Sequence, residues 1–169
     1  PKILGIFCNW CSYSGADYAG TARMKIAPNL RIIRVMCSGR VEPGHVLEAF
    51  RTGADGVLVA GCHPGDCHYM TGNYRAARRL PLLRQMLQQL GIEPERLRLE
   101  WISASEGKEL VRVAEEMTEQ LRALGPLKLQ LSLAELDMGE PKAEDMECCG
   151  CGHGRGQHIA SGAQEVECV

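Results

Sequence analysis

Short apolar runs alternate with amphipathic stretches along most of the chain. These runs are typical of strands and cover residues 2–7, 30–36 and 56–61, and residues 97–102 can form a fourth strand. The run at 56–61 is continuously apolar, as expected at the centre of a sheet. The stretches between and after these runs repeat apolar residues at helical spacing, over residues 12–26, 43–52, 72–90 and 105–124. Strands and helices in strict alternation with short connections predict right-handed crossovers and a parallel sheet covered by helices on both faces.

Glycine and proline mark where these elements begin and end. Pro43 is typical of the first turn of a helix, and Gly53 and Gly91 are natural helix stops. Pro81 falls inside the third helical stretch and is expected to kink it or divide it in two. Gly125 and the proline after it end the last helix. We therefore predict an α/β, flavodoxin-like domain over residues 1–126.

The remaining residues, 127–169, form an extension of different composition. Most of it is polar and glycine-rich, and it contains the run CCGCGHGRGQH. Such a stretch cannot bury a core of its own, so we expect a partner protein or a bound metal to order it. Cys148, Cys149, Cys151 and Cys168 would be the ligands of a second metal site. The alternative is a passive tail with exposed thiols.

Charge and hydropathy exclude several classes of function. The chain has 169 residues, a net charge of −2 and a sequence pI near 6.3, which give no global attraction for nucleic acid or an anionic membrane. No apolar run reaches the roughly 18–20 residues of a membrane span, and the first apolar run lacks the flanks of a signal peptide. We therefore expect a cytoplasmic protein that uses neither nucleic acid nor a membrane span.

Cysteines follow three of the four predicted strands. Cys8, Cys37 and Cys62 come directly after apolar runs, and Cys11 and Cys67 lie in the loops that follow two of these strands. The carboxyl ends of parallel strands share one edge of a sheet, so the five thiols should converge there. In a reducing cytosol, thiols in such numbers are typical of metal binding or redox work. The pattern predicts an iron–sulfur site.

Three other interpretations of these cysteines remain open. Each cysteine alone is as typical of a small buried apolar residue as of a ligand. A zinc site uses similar local spacings, although zinc ribbons place their ligands in two compact knuckles rather than at scattered strand ends. Cys8 and Cys11 also form a C-x2-C pair at a predicted helix N-terminus, where a thiol–disulfide oxidoreductase has its dithiol. That interpretation leaves Cys37, Cys62 and Cys67 without a role.

Side chains near the cysteine loops offer secondary candidates. His63 and His68 flank the loop that contains Cys67 and are either metal ligands or, more commonly, hydrogen-bonding surface groups. Trp10 either shields the site or packs in the core. The helix from residue 72 carries a basic stripe, which is either a solvated face or a docking site for an acidic partner. The stripe consists of Arg75, Arg78, Arg79 and Arg84.

Signatures of other chemistry are missing from the sequence. There is no G-x-G-x-x-G motif after a strand and no G-x-x-x-x-G-K-[ST] motif, so nucleotide phosphates lack their usual cradle. No Ser/His/Asp set can be identified, and the acidic residues follow spacings typical of solvated helix faces. The sequence offers no obvious acid–base catalyst.

Several runs of this sequence resemble a known family. FCNWCSYSGAD, MCSGRV, GVLVAGCHPGDCHYMTGN, the helix that begins YRAARR, and GIEPERLRLEWISASEG are similar to the iron–sulfur (delta) subunit of methyl-viologen-reducing hydrogenase. The resemblance covers residues 2–126. It implies a [2Fe–2S] cluster in an adaptor between a hydrogenase, or a formate dehydrogenase, and the flavoprotein A subunit of a heterodisulfide reductase-type complex. Such complexes perform flavin-based electron bifurcation, in which the adaptor carries electrons and performs no bond chemistry.

The resemblance places family cysteines at five positions, one more than a cluster with four thiolate ligands needs. We take Cys8, Cys37, Cys62 and Cys67 as the ligands, because strand ends are the best-fixed positions and Cys67 is tethered close by. Cys11 is then the spare thiol and the alternative ligand. The extension from residue 127 departs from the family pattern, so the resemblance assigns it no role.

Overall fold

The computed structural model describes residues 1–128, and these residues contain one parallel β-sheet. Its strands are β1 (Ile3–Cys8), β2 (Leu30–Val35), β3 (Gly56–Gly61) and β4 (Leu97–Trp101). The strand order is β2-β1-β3-β4, and every neighbouring pair is parallel. This is the order of a flavodoxin-like sheet. The α/β prediction is confirmed.

Helices cover both faces of the sheet. They are α1 (Ser12–Thr21), α2 (Pro43–Arg51), α3 (Gly72–Gln89) and α4 (Gly107–Leu124). Side chains of α2 and α3 pack on one face and those of α1 and α4 on the other, so each face has its own apolar core. Right-handed crossovers lead from β1 outward to β2 and then back past β1 to β3 and β4, and this reversal of direction places α1 on one face and α2 and α3 on the other.

Every residue of β3 is buried, as its continuous apolar sequence indicates. Val57 and Val59 belong to the core under α2 and α3, whereas Leu58 and Ala60 belong to the core under α1 and α4. Two packed faces fix the strand's register, because a slip of one residue would exchange the two sets. This packing therefore fixes the end of β3 and the position of Cys62, which follows it.

Helix α1 is shorter than the predicted stretch 12–26. It ends at Thr21, and Arg23 adopts a positive φ of 56°. The Arg23 N–H bonds to the Gly20 carbonyl and the Met24 N–H to the Ala19 carbonyl, which is a Schellman closure. Glycine usually occupies this left-handed position, and an arginine there gives the sequence no stop signal.

Pro81 does not divide α3. The helix continues unbroken from Gly72 to Gln89, with Pro81 on its outer side. Leu80, Leu83 and Leu87 are buried in the core on both sides of the proline. Their packing against the sheet holds the two halves in line, although the proline removes one helical hydrogen bond.

A buried arginine ties together three loops at the end of the sheet opposite the cysteines. Arg96 donates to the carbonyl oxygens of Asp55 and Gly125, both at 3.0 Å, and to Glu93 Oε2 at 2.7 Å. Its side chain is almost fully buried. A buried cation with all its partners in place stabilises the fold, and its removal would leave two carbonyl groups without a donor.

Replacing Arg96 by alanine is expected to lower the free energy of unfolding by about 3 kcal/mol, the cost of breaking buried hydrogen bonds to a charged group. Urea unfolding under anaerobic conditions measures this change. Arg112→Ala is the matched control, because Arg112 makes two ion pairs, with Glu109 and Glu116, in an exposed position. Such exposed pairs add little to stability. Equal destabilisation by the two substitutions would contradict the role given to Arg96.

Candidate metal centre

Five buried cysteines lie at the carboxyl edge of the sheet. Cys8 is the last residue of β1, Cys62 directly follows β3, and Cys37 comes shortly after β2. Cys11 is the N-terminal cap of α1, and Cys67 lies in the loop between β3 and α3. The parallel sheet thus brings together cysteines that are far apart in the sequence.

The sulfur atoms form two groups. The Sγ atoms of Cys8 and Cys62 are 3.7 Å apart, and that of Cys11 lies within 4.8 Å of both. Cys37 and Cys67 form the second group, with their Sγ atoms 3.9 Å apart. Four thiolates placed tetrahedrally at about 2.3 Å from a metal ion are separated by about 3.8 Å. The Cys8–Cys62 and Cys37–Cys67 pairs both have this spacing.

A buried serine fixes the first pair. Ser12 Oγ accepts a hydrogen bond from the Cys8 N–H at 2.9 Å and donates one to the Ala60 carbonyl at 2.8 Å. The hydroxyl therefore ties the end of β1 to the end of β3. Cys8 and Cys62 stay together because their strand ends are linked by this side chain as well as by the sheet.

A close backbone approach shapes the second pair. A Cβ atom on Gly72 would lie 2.0 Å from Cys37 Sγ and 3.3 Å from Cys67 Sγ. A Cβ atom on Gly39 would lie 2.7 Å from the Gly72 carbonyl oxygen. Glycine at both positions is required for the N-terminus of α3 to reach the sulfur atoms. The positive end of a helix dipole then faces groups that are anionic as ligands.

Burial and hydrogen bonds shift the pKa values of the thiols in opposite directions. Burial raises the pKa of Cys37 and of Cys62. Burial also raises the pKa of Cys67, but N–H groups of Asn73, Tyr69 and Gly72 outweigh it, so that the pKa is lowered overall. These amides stabilise a thiolate at Cys67, the form that binds metal.

The pKa values of Cys8 and Cys11 are shifted in opposite directions. A hydrogen bond from Cys11 lowers the pKa of Cys8 to about 5, against the opposing effect of burial. The same bond raises the pKa of Cys11 far above its usual range, and burial adds to the shift. Within this pair the surroundings favour the thiolate at Cys8 and the neutral thiol at Cys11.

One buried hydroxyl beside the cysteines has no partner. Ser38 is 1% exposed, its backbone N–H points to the Cys8 sulfur, and its Oγ makes no hydrogen bond. It is the one buried side-chain nitrogen or oxygen without a partner in residues 1–128. A buried hydroxyl left alone costs about 1–3 kcal/mol, so a further acceptor is expected here. The thiols as metal ligands, the close backbone approach at Gly72 and the unpartnered Ser38 hydroxyl together fit an iron–sulfur cluster.

The two histidines near the loop have partners other than the sulfur atoms. His63 Nε2 lies 2.7 Å from Glu106 Oε2. The backbone N–H of Ser103, followed by His63, lowers the pKa of Glu106 to about 2. The His68 ring stacks on Trp10, with ring centroids 3.9 Å apart. In the structure, His63 is therefore a hydrogen-bonding group and His68 is a stacking group.

Trp10 belongs to the surface over the site and not to the core. Its side chain is 43% exposed, and its Nε1 donates to the Tyr69 hydroxyl at 3.3 Å. Together with the stack on His68, this bond joins the loop after Cys8 to the loop around Cys67. Trp10 is therefore not a core residue, and its role as a shield of the site stays a prediction.

The basic stripe of α3 has divided roles. Arg79 donates to the Val41 carbonyl at 2.6 Å and to the Gly39 carbonyl at 3.3 Å, so it supports the loop that carries Cys37. Arg84 donates to the Pro94 carbonyl at 3.1 Å. In the described part of the chain, Arg75 and Arg78 make no such bond, and Arg75 is the one of the four that lies beside Cys37.

Sequence reasoning identifies the cysteines but misses the residues that position them. Ser12, Ser38 and Gly72 are small residues in loops or at helix starts, where turn chemistry alone explains their presence. Their proximity in the sequence to Cys8, Cys37 and Cys67, respectively, is the available signal. The candidate second site at Cys148, Cys149, Cys151 and Cys168 lies outside the described residues.

No helix within residues 1–128 is both long enough and apolar enough to cross a membrane.

Similarity to known proteins agrees with the geometry. The family described as "Methyl-viologen-reducing hydrogenase, delta subunit" matches residues 3–125. The iron-sulfur D subunit of the vhc F420-non-reducing hydrogenase from Methanococcus voltae is 53% identical over 137 residues, which are 81% of this chain and 95% of the relative. The iron-sulfur D subunit of an F420-non-reducing hydrogenase from Archaeoglobus profundus is 55% identical over 130 residues, 77% of this chain and 95% of the relative.

A third relative is much longer than this chain. The A subunit of the ferredoxin/F(420)H(2)-dependent CoB-CoM heterodisulfide reductase from Methanosarcina acetivorans is 46% identical over 127 residues, which are 75% of this chain but 16% of that protein. The matches of full-length relatives and of the family over residues 3–125 confirm the resemblance found in the sequence. This chain belongs to the family of the iron–sulfur delta subunit of methyl-viologen-reducing hydrogenase.

Proposed function

We propose that this chain is an electron-transfer subunit with one [2Fe–2S] cluster at the carboxyl edge of its sheet. It relays electrons between a hydrogenase, or a formate dehydrogenase, and the flavin-containing A subunit of a heterodisulfide reductase-type complex that bifurcates electrons. The observation that carries the proposal is the presence of two buried cysteine pairs with sulfur separations of 3.7 and 3.9 Å. Each pair has the spacing of two thiolates on one metal ion.

Two pairs favour a binuclear cluster over a single zinc ion. Cys8 and Cys62 would hold one iron, and Cys37 and Cys67 would hold the other. A structural zinc ion needs four ligands around one point. Within residues 1–128, Cys8, Cys11 and Cys62 are the one group of three or more potential ligands whose ligand atoms all lie within 4.8 Å of one another. This group has no fourth member. Cys11 is the spare thiol in this assignment.

The protein's own groups set the environment of the centre. When bound, the cluster supplies a centre that accepts and releases single electrons. Burial of all five thiols excludes bulk water. The Gly39 N–H donates to Cys37 Sγ at 3.4 Å, and the amides at the start of α3 face Cys67. Donors of this kind stabilise the more negative, reduced form and so raise the reduction potential.

The relatives support the choice of partners. Two are hydrogenase iron-sulfur subunits by name. The Methanosarcina acetivorans protein is a heterodisulfide reductase A subunit by name, and one region of that single polypeptide is similar to this chain. A domain that is covalently part of an A subunit in one system is expected to contact that flavoprotein where the two are separate chains. An A-type flavoprotein is therefore the partner we assign on one side of the relay.

A thiol–disulfide oxidoreductase is the second candidate. Cys8 and Cys11 lie at the N-terminus of α1, and the pKa of Cys8 is lowered to about 5, chiefly by Cys11. Such a lowered pKa is typical of a nucleophilic thiol in a C-x2-C motif. A dithiol function at Cys8 and Cys11 does not explain why Cys37 and Cys67 are paired.

Protein purified without oxygen is expected to contain about two irons and two sulfides per chain, the content of one [2Fe–2S] centre. Cys62→Ala should remove the cluster, because it leaves one iron with a single thiolate from its pair. Cys11→Ala is the matched control and should keep most of the iron. Iron and sulfide analysis with electron paramagnetic resonance of the reduced protein measures both. One zinc per chain without sulfide would refute the cluster, and loss of all iron in the Cys11 variant would refute the ligand set.

Ser38→Ala tests whether the unpartnered hydroxyl donates to the bound centre. Its loss should lower the midpoint potential on the order of tens of millivolts, where about 59 mV is a tenfold change in a one-electron equilibrium. In the metal-free protein the same substitution should not destabilise the fold, because the hydroxyl has no other partner there. Redox titration and thermal unfolding measure the two effects. An unchanged potential would show that the hydroxyl serves another group.

The isolated chain is expected to show no hydrogenase, formate dehydrogenase or disulfide reductase activity, since it would carry electrons without a substrate site of its own. Assays with methyl viologen, formate and a small disulfide check this, with the complete complex as the positive control. Robust disulfide turnover that Cys11→Ser abolishes would instead establish the oxidoreductase.

A further inference from the structure

A recess of about 360 Å³ opens beside Cys37, and it carries positive charge. Its rim includes the exposed side chains of Met36 and Tyr69, and Arg40 and Arg75 line it from two different elements. Arg40 ends the short turn after β2, and Arg75 lies in the first turn of α3. Neither guanidinium forms an ion pair in the part of the chain that the structure describes. The whole chain has a net charge of −2, so this positive charge is a local feature.

The recess reaches the outer of the two cysteine pairs. Cys37 and Cys67 are 6% and 8% exposed, whereas Cys8 and Cys62 are 1% and 3% exposed. Cys37 is itself part of the recess wall, together with Gly72. Electron transfer needs a short path between centres, so a redox partner should cover this side of the cysteine edge and not the side closed by Cys8 and Cys62.

The side chains around the recess are those typical of protein interfaces. Methionine, tyrosine and arginine are enriched in interface cores. Met36 is 57% exposed, which is unusual for an apolar side chain next to a buried thiol. Met70 and Tyr74, which are next in the sequence to the recess residues Tyr69 and Arg75, are also exposed. A flexible methionine and a planar guanidinium can both adapt to a partner surface.

From these observations, and resting on the proposed function, we propose that the recess formed by Met36, Cys37, Arg40, Tyr69 and Arg75 is the docking site for an acidic segment of the A-type flavoprotein. Aspartate or glutamate side chains of that segment pair with Arg40 and Arg75, while the apolar rim excludes water. Arginine presents two parallel N–H donors to a carboxylate, which fixes orientation as well as contact. The charges also steer the partner toward the side where Cys37 and Cys67 are nearest the surface.

The test is binding of the cluster-loaded chain to the purified A-type flavoprotein, measured by titration calorimetry at low and high salt. The variant Arg40→Glu with Arg75→Glu should bind at least tenfold more weakly at low salt, and its affinity should depend less on salt than that of the wild type. Arg75→Lys, which keeps the charge but loses the planar fork, should bind with intermediate affinity.

Arg122→Glu is the matched control, since Arg122 is an exposed arginine of α4 on the opposite face of the sheet. It makes the charge change of each single substitution in the test variant, but away from the recess, and should leave binding unchanged. The visible spectrum and iron content of each variant establish that it is folded and loaded. If the wild type binds and the charge-reversed variant binds equally well, the docking site is wrong while the proposed function stands.

Two further outcomes would overturn the assignment. If the charge-reversed variant loses affinity for the purified hydrogenase and keeps its affinity for the flavoprotein, the recess binds the hydrogenase instead. A wild-type, cluster-loaded chain that does not bind the flavoprotein at either salt concentration would refute both this docking site and the partner named in the proposed function.

Discussion

The parallel register of the three strands β1, β2 and β3 is the constraint on which the site depends. Ile3 pairs with both Leu30 and Gly56, so the three strands start level, and they also end level. Cys8 therefore lies opposite Val35 on one side, and the residue before it lies opposite Ala60 on the other. A register shift in any of them would move its cysteine by the length of a residue, about 3.3 Å, which is close to the whole separation within a sulfur pair.

Close packing at the start of α3 is the second requirement. Gly72 and Gly39 let a helix end, a turn and two sulfur atoms occupy a volume in which a single methyl group would collide with a sulfur atom or a carbonyl oxygen. Asn73 reinforces this junction, because its Nδ2 donates to the His63 carbonyl at 2.7 Å. The loop after Cys62 is thus bonded to the same helix turn that faces Cys67. Both cysteine pairs are supported by rigid elements rather than by free loops.

The sequence predicts the sheet and its cysteine edge well, because each rests on a local signal. Strand-like runs locate β1 to β4, with β3 continuously apolar, and the position of Cys8, Cys37 and Cys62 after three of these runs follows directly. Gly53 and Gly125, both with positive φ, mark helix ends as expected. Arg23 closes α1 in the same conformation without being glycine, so that boundary could not be predicted. The Ala60 partner of Ser12 and the Glu106 partner of His63 lie 48 and 43 residues away in the sequence, and a single sequence holds no record of such contacts.

The cysteine pairs join parts of the chain that are distant in sequence. The members of one pair are 54 residues apart and those of the other are 30 residues apart. Such sites differ from zinc fingers, in which ligands close together in sequence let the metal organise an unfolded chain. Here four thiols meet only once β1, β2 and β3 have aligned and α3 has packed against them. A centre held by these four thiols would consequently be loaded late in the life of the protein, and the nascent chain would have to reach its native topology with its thiols still reduced.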